Sequence, residues 1–329
     1  MMSAQFQIHA ESFRSVLIEM VYCENGADID TTAGQDYKSM AHGSAFVYRL
    51  DGKDRLITAR HNVTGRHWQT HEFMGGYHIE PTHLRVMFFK DPPEKWVVTL
   101  SEDDPRRGGI QVLLQQYLVP LIGPDWKPIW NQHPQLGGEM DVAEVPFNPP
   151  ADVVCMSWER TGDRSGPEQA SWPAQLFPGE DVFIIGYPYR LTSGPAFPLW
   201  IRGTVASNPI FPYYSDGKAY PLWLIDARTR KGQSGAPVMR HRPPGTLVFR
   251  NDGQPARMPV PDSDLLGVYS GRTSDESDLG FVWGMDHVDE ICRNGVPGTI
   301  DPDPSARSCA VGEELTTSNL EPQERSVRP

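Results

Sequence analysis

The sequence predicts an all-β protein made of two β-barrels side by side, followed by one short helix near the C-terminus. Three observations carry this expectation. The chain has 30 Gly and 31 Pro in 329 residues while 39% of it is hydrophobic, a balance that suits short strands and many turns better than a helical bundle. Its strand-length apolar segments fall into two blocks. Between the blocks, Ser157 to Pro178 is rich in Gly, Pro, Ser and charge with no sustained periodicity, as expected of a linker. The length admits two domains of ordinary size.

The elements follow in order. Ser15 to Tyr22 reads as the first strand. Ser44 to Arg49 and Arg55 to Ala59 flank Asp51-Gly52, a strong hairpin turn. Leu84 to Lys90 and Lys95 to Leu100 are two further strands, split by Asp91-Pro-Pro93. After a turn at Gly137-Gly138, Met140 to Val145 forms another. The second block holds Asp181 to Gly186, Trp200 to Ser207, Leu222 to Asp226, Ala236 to Arg240, Leu265 to Tyr269 and Gly280 to Trp283. Asp286 is placed to cap a helix running through Cys292, with Val288 and Ile291 on its apolar side. From Pro297 to Pro329 the chain is polar and Pro-rich, the composition of a disordered tail.

Charge and composition exclude several functions. Lys and Arg total 30 against 42 Asp and Glu, a net charge of −12, which disfavours a nonspecific binder of nucleic acid. Apolar runs such as Ser15 to Tyr22 and Val182 to Tyr187 fall far short of the roughly 20 residues a spanning helix needs. Met1 to Phe13 lacks the apolar stretch of a signal peptide. Cys23, Cys155, Cys292 and Cys309 are widely spaced and form no C-x-x-C pair, so reduced thiols and a cytoplasmic location are expected. No phosphate-binding loop or dinucleotide fingerprint is present, and no cofactor is expected.

Three segments carry chemistry. In Lys231-Gly-Gln-Ser-Gly-Ala-Pro237, a serine sits on a tight turn entering a strand. Glycines there let a substrate approach the backbone, whose N–H groups can face a developing oxyanion. Small residues and proline also build ordinary turns. In Leu56-Ile-Thr-Ala-Arg-His-Asn-Val63, His61 follows an apolar strand, where a base can be held rigidly yet stay reachable; a loop histidine is the plainer alternative. In Met140-Asp-Val-Ala-Glu-Val145, Asp141 enters a short strand, where a buried carboxylate can orient an imidazole or merely cap the strand. Glu144, three positions on, faces the other way.

In the order His61, Asp141, Ser234, the chain resembles the trypsin-like serine peptidases of the chymotrypsin fold, in particular the compact bacterial kind that includes the high-temperature-requirement proteases. Gly43-Ser-Ala-Phe-Val and Leu56-Ile-Thr-Ala-Arg-His61 are similar to the family's segments around its base. Pro178-Gly-Glu-Asp-Val-Phe-Ile-Ile-Gly-Tyr-Pro188, Arg202-Gly-Thr-Val-Ala-Ser207, Ile225-Asp-Ala227, Leu266-Gly-Val-Tyr-Ser-Gly271 and Leu279-Gly-Phe-Val-Trp283 resemble the second barrel. The likeness spans residues 14 to 293, with Thr64 to Gly137 poorly matched.

The resemblance implies two antiparallel six-stranded barrels: residues 1–160 with His61 and Asp141, a linker over 161–177, residues 178–295 with Ser234, and a disordered tail over 296–329. It implies a serine endopeptidase with Ser234 as nucleophile, His61 as general base, Asp141 as orienter, and an oxyanion hole from the N–H groups of Gly232 and Ser234. Val268, Tyr269, Ser270 and Gly271 would offer a strand edge to a polypeptide substrate, with Gly271 leaving the pocket wall open. Arg228, six residues before Ser234, falls where the family places the base of its primary pocket, so acidic side chains are one expectation; pairing with Asp226 or with solvent is the alternative. A silent peptide-binding module, or a peptidase awaiting an activating protein partner, is the alternative function.

Departures and discounted signals complete the reading. Many secreted relatives have Asp before the nucleophile, where this chain has Gln233, and Met1 to Phe13 offers no evident propeptide, so activation by cleavage is not expected. No PDZ-like region is expected after Gly295. His67, His71, His78 and His83 lack the helical setting and H-E-x-x-H pattern of a metal site. Asn62-Val-Thr64 fits a glycosylation sequon but adjoins His61, and is read as incidental.

Overall fold

A computed structural model describes residues 8–23, 37–76, 78–99, 109–159, 176–249 and 254–300. The N-terminal sheet contains β1 (Val16–Tyr22), β2 (Lys38–Leu50), β3 (Lys53–Thr58), β4 (His83–Phe89), β5 (Leu114–Pro120), β6 (Asn131–Gln132), β7 (Ala143–Pro146) and β8 (Trp158–Glu159). The second half supplies β9 (Asp181–Gly186), β10 (Leu199–Val205), β11 (Leu222–Ala227), β12 (Pro237–Arg242), β13 (Asp262–Arg272) and β14 (Leu279–Gly284). Helix α2 (Met285–Asn294) and β15 (Val296–Pro297) follow. A one-turn helix, α1 (Arg60–Thr64), follows β3.

The second half closes as a six-stranded antiparallel barrel in the order β9-β10-β11-β14-β13-β12. The first half is a nine-stranded sheet in the order β15-β6-β7-β3-β2-β1-β4-β5, with β8 paired in parallel to β2. The whole is the all-β, chymotrypsin-like architecture, with one correction: the N-terminal unit is not a closed six-stranded barrel. Its strand β5 ends at Pro120, which has no N–H to continue a ladder. The chain then bends on itself, Gly123 N donating to Lys127 O and Ile129 N to Leu121 O. It re-enters as the two-residue β6, which pairs with β7 and β15 instead of β5.

Local sequence explains the hairpin beside the site. Asp51 (φ 51°) and Gly52 (φ 74°) form the left-handed two-residue turn that matches strand twist. β2 and β3 then hold Ala45 opposite Thr58 and Phe46 opposite Ile57. One apolar cluster fills the closed barrel, including Val182, Ile184, Ile225, Val238 and Val282. Another lies within the first sheet around Ile18, Leu56, Leu84 and Trp130. A third joins the halves: Phe46, Ile57 and Met140 from the first pack with Ile185, Met239 and Trp283 from the second and Val288 and Ile291 from α2. Each fully buried side chain of this size contributes about 1.5–3 kcal/mol, so the joint is a core and not a loose contact.

Several expectations shift at element ends. The strand expected over Met140 to Val145 begins only at Ala143, leaving Asp141 just before the ladder. Trp158 and Glu159, expected in the linker, pair with Tyr48 and Arg49 because the Trp158 indole is buried in the joint. The rest of the linker, 160–175, lies outside the described residues. Gly284 caps α2, and Asp286 sits within its first turn. The tail expected to be disordered from 296 starts ordered: Val296 pairs with Gln132, and Gly298 N donates to Trp130 O at 2.8 Å. Residues 301–329, like Leu100 at the end of an expected strand, lie outside the described residues.

Candidate active site

The site is built on α1 and on the turn before β12. β3 delivers the chain to Ala59, and α1 then makes one turn before Gly65 (φ 69°) ends it, donating its N–H to His61 O at 2.9 Å. His61 therefore stands in a helical turn, not in a loop at a strand end. Asp141, fully buried at 0% exposure, uses both carboxylate oxygens on this one residue. Oδ1 accepts the His61 backbone N–H at 2.9 Å, and Oδ2 lies 2.7 Å from His61 Nδ1. The first bond satisfies a donor that a helix start leaves open. The second directs the Nδ1 proton to the acid and leaves Nε2 free to accept.

The serine turn is shaped by two glycines that no other residue can replace. Gly235 has φ +86°, and a Cβ there would lie 2.1 Å from Ser44 O and 2.3 Å from Thr58 Oγ1. At Gly232, with φ +99°, a Cβ would lie 2.4 Å from Tyr187 O. The turn is fastened to the other half of the molecule through its carbonyls. Ser234 O accepts from Ser44 N and from Asn62 Nδ2, both at 2.9 Å. Ser44 Oγ donates to Gly232 O at 2.8 Å. Asn62 Nδ2 also donates to Thr58 Oγ1, which donates to Ser44 O. Asn62 follows His61 in the chain, so one amide ties the Ser234 turn to the helix bearing His61.

Among the described residues, neither the Gly232 nor the Ser234 N–H donates to a protein acceptor, and no hydrogen bond joins His61 Nε2 to Ser234 Oγ. Gln233 is buried and folds its loop on itself, its Oε1 accepting from Arg230 N at 2.8 Å. Two neighbouring imidazoles are held toward the neutral form. Burial lowers the pKa of His67, against the pull of Asp141. Burial and Arg190 lower that of His42, whose ring lies against Gly232.

The remaining expected residues fall on the closed barrel. Arg228, just past the end of β11, is exposed, while Thr229 beside it is fully buried. Val268 belongs to the apolar joint. Tyr269 N donates to Ala236 O at 2.9 Å, and Tyr269 O accepts from Gly235 N at 2.7 Å. Ser270 Oγ accepts from Trp283 Nε1 at 3.1 Å. Gly271, at φ +142°, has open space where a Cβ would stand. Asn62, Ser44 and Thr58 were not singled out for the site by sequence. The only signal at Asn62 was a sequon, and full burial of its side chain leaves no room for a glycan. Among the described residues, no helix is long and apolar enough to cross a membrane.

No family model and no curated protein matches this chain. Solved structures with similar folds include the active form of the Rv3671c protease from M. tuberculosis, at 17% identity and a TM-score of 0.38, covering 88% of this chain and 85% of that one. The inactive form of the same protease matches at 16% identity and a TM-score of 0.39, covering 87% and 91%. Likenesses this distant carry nothing about activity.

Proposed function

We propose that the protein is a serine endopeptidase. Ser234 Oγ attacks the peptide carbonyl carbon while His61 Nε2 takes its proton, and Asp141 holds the ring and offsets the imidazolium charge. The carbonyl oxygen becomes an oxyanion facing the Gly232 and Ser234 N–H groups. The same proton then passes to the leaving amine, and the acyl group remains on Ser234 until water repeats the sequence. Loss of one oxyanion donor of this kind costs about 10²–10³ in rate. One observation carries the proposal: Asp141 grips His61 at two points while the adjacent Asn62 holds the Ser234 carbonyl. Because the Tyr269 backbone is already committed, a substrate strand pairs with β13 from Ser270 onward. The wide spacing of the cysteines, with no C-x-x-C pair, supports a cytoplasmic location.

A second reading is a fold that binds peptides and turns over only when a partner activates it. A fluorophosphonate probe separates the two. Labelling of wild type that disappears in Ser234→Ala supports the peptidase; no Ser234-dependent labelling of the protein, alone or in cell extract, supports the binding module.

A further inference from the structure

We propose that the Tyr269 side chain fills the pocket that would receive the residue on the acyl side of the cleaved bond, restricting that residue to glycine, alanine or serine. The inference rests on the peptidase reading and adds its substrate class. A substrate whose carbonyl meets Ser234 and whose backbone pairs with β13 from Ser270 would direct that side chain between β13 and the 229–233 segment that leads into Ser234. The Tyr269 ring occupies this space and touches its walls. It rises from β13, and its hydroxyl bonds Thr229 Oγ1 of the loop at 2.5 Å. On β14, a Cβ at Gly280 would lie 2.6 Å from Tyr269 Cε2, so the ring takes the volume a side chain there would need.

The plug is rigid. Tyr269 is 2% exposed and Thr229 0%. Burial pushes the phenol up to about 12, so it stays protonated at any physiological pH. The ring also packs with Ala227, Ala236 and Val282 in the barrel core, which disfavours its swinging out to admit a large side chain. Arg228 is exposed while Thr229, the partner of Tyr269, is buried, so we replace the acidic preference expected from its sequence position by a preference for small side chains.

Four probes test this on the full-length chain: a fluorophosphonate with no amino-acid side chain, and peptidyl diphenyl phosphonates carrying an alanine, a phenylalanine or an aspartate side chain at the reacting position. Wild type is expected to react with the alanine probe roughly tenfold or more faster than with the phenylalanine probe. Tyr269→Ala is expected to reverse that order, and Tyr269→Phe, which keeps the ring and loses only the Thr229 bond, to preserve it. Equal or faster reaction of wild type with the phenylalanine probe overturns the proposal, as does fastest reaction with an aspartyl analogue. The wild-type ratio decides even if Tyr269→Ala does not fold. Failure of the fluorophosphonate to label Ser234 overturns the peptidase reading itself, and the two failures are told apart by that probe.

Discussion

Asp141 shows how a single side chain links fold to chemistry. Its two oxygens bond the backbone and the ring of His61, so it sets both where α1 begins and which imidazole nitrogen carries the proton. Asp141→Asn separates these roles. The amide oxygen can still accept the backbone N–H, but the amide nitrogen donates where an acceptor is needed and forces the wrong tautomer. With a peptide substrate, kcat is expected to fall by about 10⁴ with the fold retained by circular dichroism; a loss under tenfold would contradict the role. His61 and Asp141 were legible because each adjoins an apolar strand in a recognisable segment. Asn62 was not, since its partner Ser234 is remote in the chain and only the fold brings them together. The Tyr269 plug was equally hidden: a strand residue reads as an edge or a core position, and the Thr229 contact that fixes its direction is long-range.

At the scale of elements, the strands with regular patterns and the Asp51-Gly52 hairpin were readable, whereas α1, β6 and β15 were too short to carry any periodicity. β15 has a measurable consequence. It pairs with β6, Gly298 lies flat against the Trp130 ring, and Thr299 O accepts from Arg60 NH2 at 2.9 Å, next to His61. A chain ending at Ile300 keeps these contacts. One ending at Gly295 uncovers Trp130 and loses these bonds, which together are worth about 1–3 kcal/mol, and is expected to melt several degrees lower. Equal melting temperatures for the two truncations would show that β15 contributes nothing.

For the molecule as a whole, burial sets the response to acid. It lowers the pKa values of His42, His67, His83, His133, His241 and His287, that of His83 to about 4. Between pH 6.5 and 4 the unfolded chain thus binds protons that the folded chain refuses, so stability is full above about pH 6.5 and declines as pH falls through that window. His83, buried against Thr82, accounts for about 3 kcal/mol of the loss. Chemical denaturation at pH 7 and pH 4.5 should show the decline, and His83→Gln should make it shallower; an unchanged slope would contradict the assignment.

The proposed function turns on one chemical event, acylation of Ser234. Rapid mixing with a peptidyl-alanine p-nitrophenyl ester, followed by intact-mass measurement, reads that event directly. Wild type should release a burst of p-nitrophenol matching the enzyme present and gain the mass of one acyl group on the peptide containing Ser234, with neither seen in Ser234→Ala. Hydrolysis without a burst or adduct, or an adduct that persists in Ser234→Ala, would contradict the account.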